Sequence, residues 1–278
     1  MRIGGAALSI LIFLALTAPL LGTVDPNLFD AASRDLRPGE AGEITNLDGE
    51  TVKHLFLMGS DSFGRDIYSR VIYGTRVSLL VGICSALLAL SFGIVCGLGA
   101  GYLRWLDGLL MRVMDGIMAI PGILIAIALV ALWRPSLLTV VLAIAIPEIP
   151  RVTRLVRSLV LSLREEPYVE AAVSLGTSTP KIMFGHILPN TVAPLIVQGT
   201  YIVGFAILIE AILSFLGVGL PPDTPTWGNI MAEGRVQFVA YPHNVFFPGI
   251  FLAATVLAVN ILGDGLRDTL DPKMAKRV

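Results

Sequence analysis

The chain has 278 residues, 55% of them apolar and 15% charged, with 20 Lys and Arg against 21 Asp and Glu for a formal net charge of −1. A mean hydropathy of +0.79 lies outside the range of ordinary soluble domains, and the lack of a basic surplus excludes the electrostatic footprint of nucleic-acid binding. Crossing a bilayer takes about 20 apolar residues as a helix. Runs of this kind fall near 5–22, 77–102, 113–133, 136–150, 191–217 and 245–263, so the expectation is an all-α integral membrane protein with about six transmembrane helices. Residues 1–24 hold the first, with one Arg ahead of the apolar run. Leu16-Thr17-Ala18-Pro19 is a poor small-residue cleavage site, which favours a retained helix; removal as a signal peptide would leave five spans.

Residues 25–76 form the next unit, expected outside the bilayer. Its first part, 25–53, is acidic and turn-rich and reads as an irregular loop. Asp61 or Ser62 then suits the cap of a short interfacial helix with Phe63, Ile67 and Val71 on its apolar side. Asp66 and Arg70 stand four apart in the favourable order, acid first.

A core of five spans is expected over 77–272, followed by a short tail, 273–278. Cys84 and Cys96 share the second span and form neither a disulfide framework nor a metal motif, so they read as apolar packing. Asp115, three residues after Arg112, reads as half of a structural pair. The fourth run is the weakest, because Glu148 lies between Pro147 and Pro150. Arg151, Arg154 and Arg157 follow at three-residue spacing and read as a lipid-headgroup anchor. Glu210, with Ser214 one turn on, is the acid set deepest in an apolar run.

Between the fourth and fifth runs, residues 165–190 are polar and read as two short helices bent around Gly176. Glu170-Ala171-Ala172 opens the first, and Gly176 suits a left-handed residue after its last turn. Thr177, Ser178 or Thr179 can cap the second, Pro180 fits its first turn, and Leu188-Pro189-Asn190 is expected to end it. With six spans and both termini cytoplasmic, inner segments carry twelve Lys and Arg against eight outside, which places this knob in the cytoplasm.

These residues carry a family resemblance. Glu170-Ala171-Ala172, three residues, Gly176, nine residues, His186 and then Ile187-Leu188-Pro189 resemble the EAA loop of ABC-importer permeases. His186 stands where the wider pattern often has Ile. Gly59-Ser60-Asp61-Ser62-Phe63-Gly64-Arg65-Asp66, with Ser69, Arg70, Gly74, Arg76 and Ser78-Leu79, resembles the outer signature of one branch, with Ser60 for the usual Thr. That branch is the second permease subunit of dipeptide, oligopeptide and nickel importers. Residues 209–230, with Glu210, Ser214 and Trp227-Gly228, and residues 260–272, ending Leu270-Asp271-Pro272, are similar to two further segments of it.

The resemblance implies a type I ABC-importer permease fold in a bacterial inner membrane. It implies a homologous partner permease, two ATPase subunits carrying ATP and Mg, and an extracytoplasmic substrate-binding protein. The chain itself has no G-x-x-x-x-G-K-[ST], so it is not expected to cradle ATP phosphates, and no cofactor or metal is expected on it. Glu170, Ala171, Ala172, Gly176, His186 and Pro189 become the ATPase-coupling residues. Asp61, Gly64, Arg65, Asp66, Ser69 and Arg70 become the outer motif. Glu210 and Ser214 either line the pathway or meet the partner permease. Peptide is the expected cargo, with nickel or another small solute as the alternative.

Other classes fit less well. His54, His186 and His243 are scattered, and no H-E-x-x-H or G-x-S-x-G marks an intramembrane enzyme. A secondary transporter often shows internal repeats with broken helices. Pro121-Gly122 and Pro147 could break helices here, yet the halves show no repeat.

Overall fold

The computed structural model describes residues 2–45 and 49–270. The 273–278 tail, Asp271-Pro272 of the C-terminal motif, and Lys273, Lys276 and Arg277 of the charge count lie outside them. Helix α1 spans Arg2–Leu16 and α2 spans Ile67–Tyr102; α3, Arg104–Met118, and α4, Gly122–Leu132, follow. After them come α5, Leu137–Leu163, the short α6, Pro167–Ser174, and α7, Thr179–Ile182. The chain closes with α8, Val192–Phe215, α9, Trp227–Gly234, and α10, His243–Leu270.

The centre of the bundle is the α2–α5 pair, and small residues set how close it comes. Gly93, Gly97 and Gly101 follow one another at four-residue spacing along α2 and meet Val152, Val156 and Val160 of α5 in the same order. A Cβ on these glycines would stand 2.4, 2.5 and 2.6 Å from the valine Cβ atoms. Backbones approach this closely in membranes because small residues let dispersion contacts form where no hydrophobic driving force exists. The matching order makes the two helices parallel, so both start at one end of the bundle and finish at the other. Helix α8 runs back against α2, where Ile207 meets Gly82 and Leu90 meets Gly199. Helix α10 returns against α8, and α1 packs on α10 so tightly that a Cβ on Gly4 would lie 2.6 Å from the Leu262 nitrogen.

Among the described residues, three helices are long and apolar enough to cross a membrane: α2, the run Thr179–Phe215, and α10. The α3–α4 pair makes a fourth if counted as one span, bent by 84°. Six spans were expected. Helix α1 runs beside α10 but, at 15 residues, covers only ~22 Å of a hydrocarbon core about 30 Å thick. Helix α5 runs beside α2 from about Ser85 to Gly101 while carrying Glu148, Arg151, Arg154 and Arg157, and neither Pro147 nor Pro150 ends it.

Two local expectations are corrected. The 25–53 stretch is not wholly irregular: β1, Glu40–Thr45, pairs antiparallel with β2, Thr51–Phe56, and buries Ile44 and Phe56. No separate helix begins at Asp61 or Ser62. Helix α2 starts at Ile67 with Asp66 as its cap and runs on into the bundle, which leaves Phe63 in the preceding turn.

Candidate functional site

At the end where α2 and α5 begin, the chain turns at Gly64, whose φ is +80°. The Asp61 carboxylate organises this turn: Oδ1 accepts from the backbone nitrogens of Phe63 and Arg65 at 2.9 and 3.0 Å. Oδ2 accepts from Arg65 Nε at 2.7 Å and from Arg70 Nη1 at 2.8 Å. Both arginines also reach Glu233 of α9, at 2.6 and 2.5 Å. Arg70 is fully buried, a position it can hold only because two carboxylates and the Pro222 carbonyl face its guanidinium.

The expected Asp66–Arg70 pair does not form. Asp66 caps α2 by accepting from the Ser69 nitrogen at 2.9 Å and from its hydroxyl at 2.5 Å. The Ser69 hydroxyl in turn accepts from the Val24 nitrogen at 2.9 Å. Trp227, also fully buried, donates from Nε1 to the Val71 carbonyl at 3.1 Å and ties α9 to α2. Glu233 escaped the sequence reading: it stands 163 residues from Arg70, and no local spacing marks it.

The opposite end carries the 165–190 segment. Its fold follows from Gly176, whose φ of +75° lets its nitrogen donate to the Val173 carbonyl at 2.9 Å and the Thr177 nitrogen to the Ala172 carbonyl at 3.1 Å. Together these form a Schellman cap on α6. Ala172, Val169, Ile182 and Ile187 are buried against Val156 and Val160 of α5, so the apolar side of the segment is seated on the bundle. Glu170 and Ala171 face outward, Glu170 in the first turn of α6, where the helix dipole favours an acid.

Ser178 takes the cap position of α7 without a side-chain hydrogen bond, and Pro180 lies in its first turn as expected. The Leu188-Pro189-Asn190 stop is not observed. The chain passes through a π turn, Met183–Ile187, and a 3₁₀ turn, Leu188–Thr191, directly into α8. Asn190 Nδ2 donates to the His186 carbonyl at 2.7 Å and to the Tyr168 hydroxyl at 3.2 Å, closing the segment on itself. Tyr168, Val173, Leu175 and Phe184 are left exposed, Leu175 at 85%.

Within the bundle, Glu210 is 0% exposed and its Oε1 accepts from the Ser214 hydroxyl at 2.9 Å. It is enclosed by this chain's own helices. In this conformation its side chain is closed off among these helices, with Ser214 one turn on as its hydrogen-bond partner. Asp115 pairs with Arg154 at 2.6 Å rather than with Arg112, and Arg157 binds Asp107 with two nitrogens at 2.5 and 2.7 Å. Two residues of the basic stripe are thereby engaged with α3. Glu148 holds Arg151 at 3.1 Å beside an open cavity bounded by α5, α8 and α10.

Apolar helices running end to end, a cavity open between them and a helical segment docked at one end together define an all-α membrane permease. The chain belongs to the family of binding-protein-dependent transport system inner membrane components, whose model matches residues 89–276. A probable peptide ABC transporter permease of Sinorhizobium fredii is 47% identical over 99% of this chain and 89% of its own length. A dipeptide transport system permease of Alkalihalophilus pseudofirmus is 48% identical over 84% and 77%. A glutathione transport system permease of Escherichia coli is 45% identical over 82% and 75%. Among solved structures, the inward-facing MetNI methionine ABC transporter superposes with a TM-score of 0.60 at 16% identity, covering 73% of this chain and 97% of that one. This last match supports the fold alone. The protein is a multi-pass membrane component of a multi-part transport system, and the family is one of permease components rather than ATPases.

Proposed function

We propose that the chain is one of two permease subunits of an ATP-driven importer for di- and oligopeptides, coupled to separate ATPases through residues 165–190. The observation that carries this is the form of that segment. Its apolar underside is anchored on α5, while Leu175, Val173 and Phe184 stay uncovered beside the Gly176 turn. Exposed aliphatic and aromatic groups on a short, internally bonded knob suit a groove on a partner protein.

Two ATPase subunits carry ATP and Mg, and their closure carries the knob with them. Because the chain from Thr179 to Phe215 runs on as one helical element, a shift of the knob reaches α8 with no loop to absorb it. Helix α8 walls the cavity it shares with α5 and α10, so the same shift changes access to it, a hinge-type coupling of two sites to one equilibrium. The partner permease completes the pathway and an extracytoplasmic binding protein delivers cargo. Both termini lie in the cytoplasm, and the hairpin end faces outward. Peptide as cargo is supported by the relatives named for peptide, dipeptide and glutathione transport.

The test is uptake of a labelled dipeptide by cells with the native chain, without it, and with Gly176→Pro. Proline cannot adopt the φ of +75° and lacks the donor that closes the cap. Uptake should fall to background in both altered strains, with the variant still present in the membrane. Intact uptake after deletion would refute peptide as the cargo and turn the same assay to nickel. Normal uptake by Gly176→Pro would refute the coupling role.

A further inference from the structure

The cavity between α5, α8 and α10 has a volume of about 290 Å³. Gln198 and Tyr201 line both it and a larger cavity of about 780 Å³ that opens toward Asn190 and Leu270 at the coupling end. Gln198 and Tyr201 thus stand where the two cavities adjoin, the larger one nearer the coupling end.

Its polar groups are unusual for a bundle interior. Glu148 is 3% exposed and belongs to α5, yet its ion-pair partner Arg151 is open to the cavity, with the side chain 54% exposed. Arg151 engages Glu148 through Nη1 only, at 3.1 and 3.3 Å, and its guanidinium leans on the Phe205 ring at 5.4 Å. Nε and Nη2 have no partner among the described residues. The contrast is with Arg157, which spends two nitrogens on Asp107, and with Arg70, which is sealed between two carboxylates. A buried carboxylate with an open, half-used arginine is a costly way to build a strut and an apt way to build a receptor for opposite charges. The carboxamides of Gln198 and Asn260 stand on the facing helices, while Phe205 and Leu208 give an apolar wall.

Resting on the peptide-import reading, we propose that this cavity is a transit subsite for a zwitterionic dipeptide, whose α-ammonium binds Glu148 and whose α-carboxylate binds Arg151. The carboxamides meet the peptide bond, so every polar contact is to a group that all dipeptides share. Side chains meet only the apolar wall, which discriminates weakly. The volume lies just below the usual range of ligand pockets, roughly 300–1,000 Å³, and is enough for one dipeptide.

The test uses the complete membrane complex in nanodiscs, without nucleotide, and a dipeptide carrying a diazirine side chain. Light should attach the label to α5 and α8 around Phe205 and Leu208. Unmodified dipeptide should compete about tenfold better than its N-acetyl or its C-terminal amide form, since each loses one charge-assisted contact. Glu148→Gln should erase the discrimination against the N-acetyl form and keep that against the amide; Arg151→Gln should do the reverse. A merely structural pair would not move competitor preference in this crossed way. Label landing elsewhere, equal competition by all three compounds in the native complex, or variants that weaken all three alike would overturn the subsite. Native cells that import dipeptide while any of these holds would leave the transport reading standing and sink only this inference; native cells that import none would sink the reading itself.

Discussion

The two ends of the bundle solve opposite problems with similar parts. Each turns its chain on a left-handed glycine, Gly64 at the hairpin end and Gly176 at the coupling end. At the first, the space around the turn is filled: a Cβ on Gly64 would lie 1.9 Å from the Asp30 carbonyl oxygen. At the second, nothing lies within 4 Å of the same added atom. Around its turn the hairpin end buries its charges, with Arg70 fully enclosed and Asp61 4% exposed. The coupling end keeps its charges outside and leaves apolar side chains bare. One end is locked within the chain, and the other leaves an apolar surface that the proposed ATPase contact would cover.

The strongest way to break the lock is Arg70→Ala. It leaves Asp61 and Glu233 with a single arginine between them inside the protein, and removing one member of a buried charge cluster costs about 3–5 kcal/mol. The variant should be largely lost from the membrane, read as abundance and as a lowered melting temperature in detergent. Arg70→Lys should rescue little, because a point charge cannot serve two carboxylates and the Pro222 carbonyl together. The paired glycines sharpen the contrast. Gly64→Ala pushes a methyl group into backbone and should follow Arg70→Ala in severity. Gly176→Ala carries only the left-handed penalty of about 1–2 kcal/mol and should leave abundance near native. Equal losses at both would show that the coupling end is as tightly held as the hairpin end.

The same division explains what could be read in advance. The Gly176 cap was legible because it is local, with its bonds all lying between residues 172 and 177. The Asp61–Arg65–Arg70 string was legible as a pattern, but its geometry depends on Glu233, which reaches it only through tertiary packing. The start of α2 was misplaced because Asp61, Ser62 and Asp66 all suit a cap. Gly64 decides among them, since its φ of +80° interrupts any helix begun at Asp61 or Ser62 and leaves Asp66 as the cap. The β1–β2 hairpin left a faint signal because few of its side chains are buried while Val52 and Leu55 are exposed, so apolar alternation marks no inward face. The Gly93, Gly97, Gly101 ladder stands at four-residue spacing in the sequence, but nothing there names Val152, Val156 and Val160 as its partners, so the α2–α5 contact emerges only with the fold. Glu148 stands out in the sequence as an acid between Pro147 and Pro150, but its place in a cavity shared with α8 and α10 emerges only with the fold.

The smallest stability effect carries the sharpest test of the comparison. Leu175 is 85% exposed, beside the Gly176 turn. Surface substitutions of this kind change stability by about ±0.5 kcal/mol or less. Leu175→Ser should therefore leave abundance and melting temperature unchanged, and it removes no hydrogen bond, since its backbone alone is engaged. If the side chain seats in a partner ATPase, burying it there is worth roughly 1.5–3 kcal/mol, and its loss should cut binding-protein-stimulated ATP hydrolysis by about tenfold or more while basal hydrolysis persists. Phe184→Ser, 57% exposed on the same segment, should act the same way and more weakly. A variant with native stability and native stimulation would mean that the bare apolar surface is not where force enters the bundle. A stable variant with uncoupled hydrolysis would show an end held by its partner, where the hairpin end is held by itself.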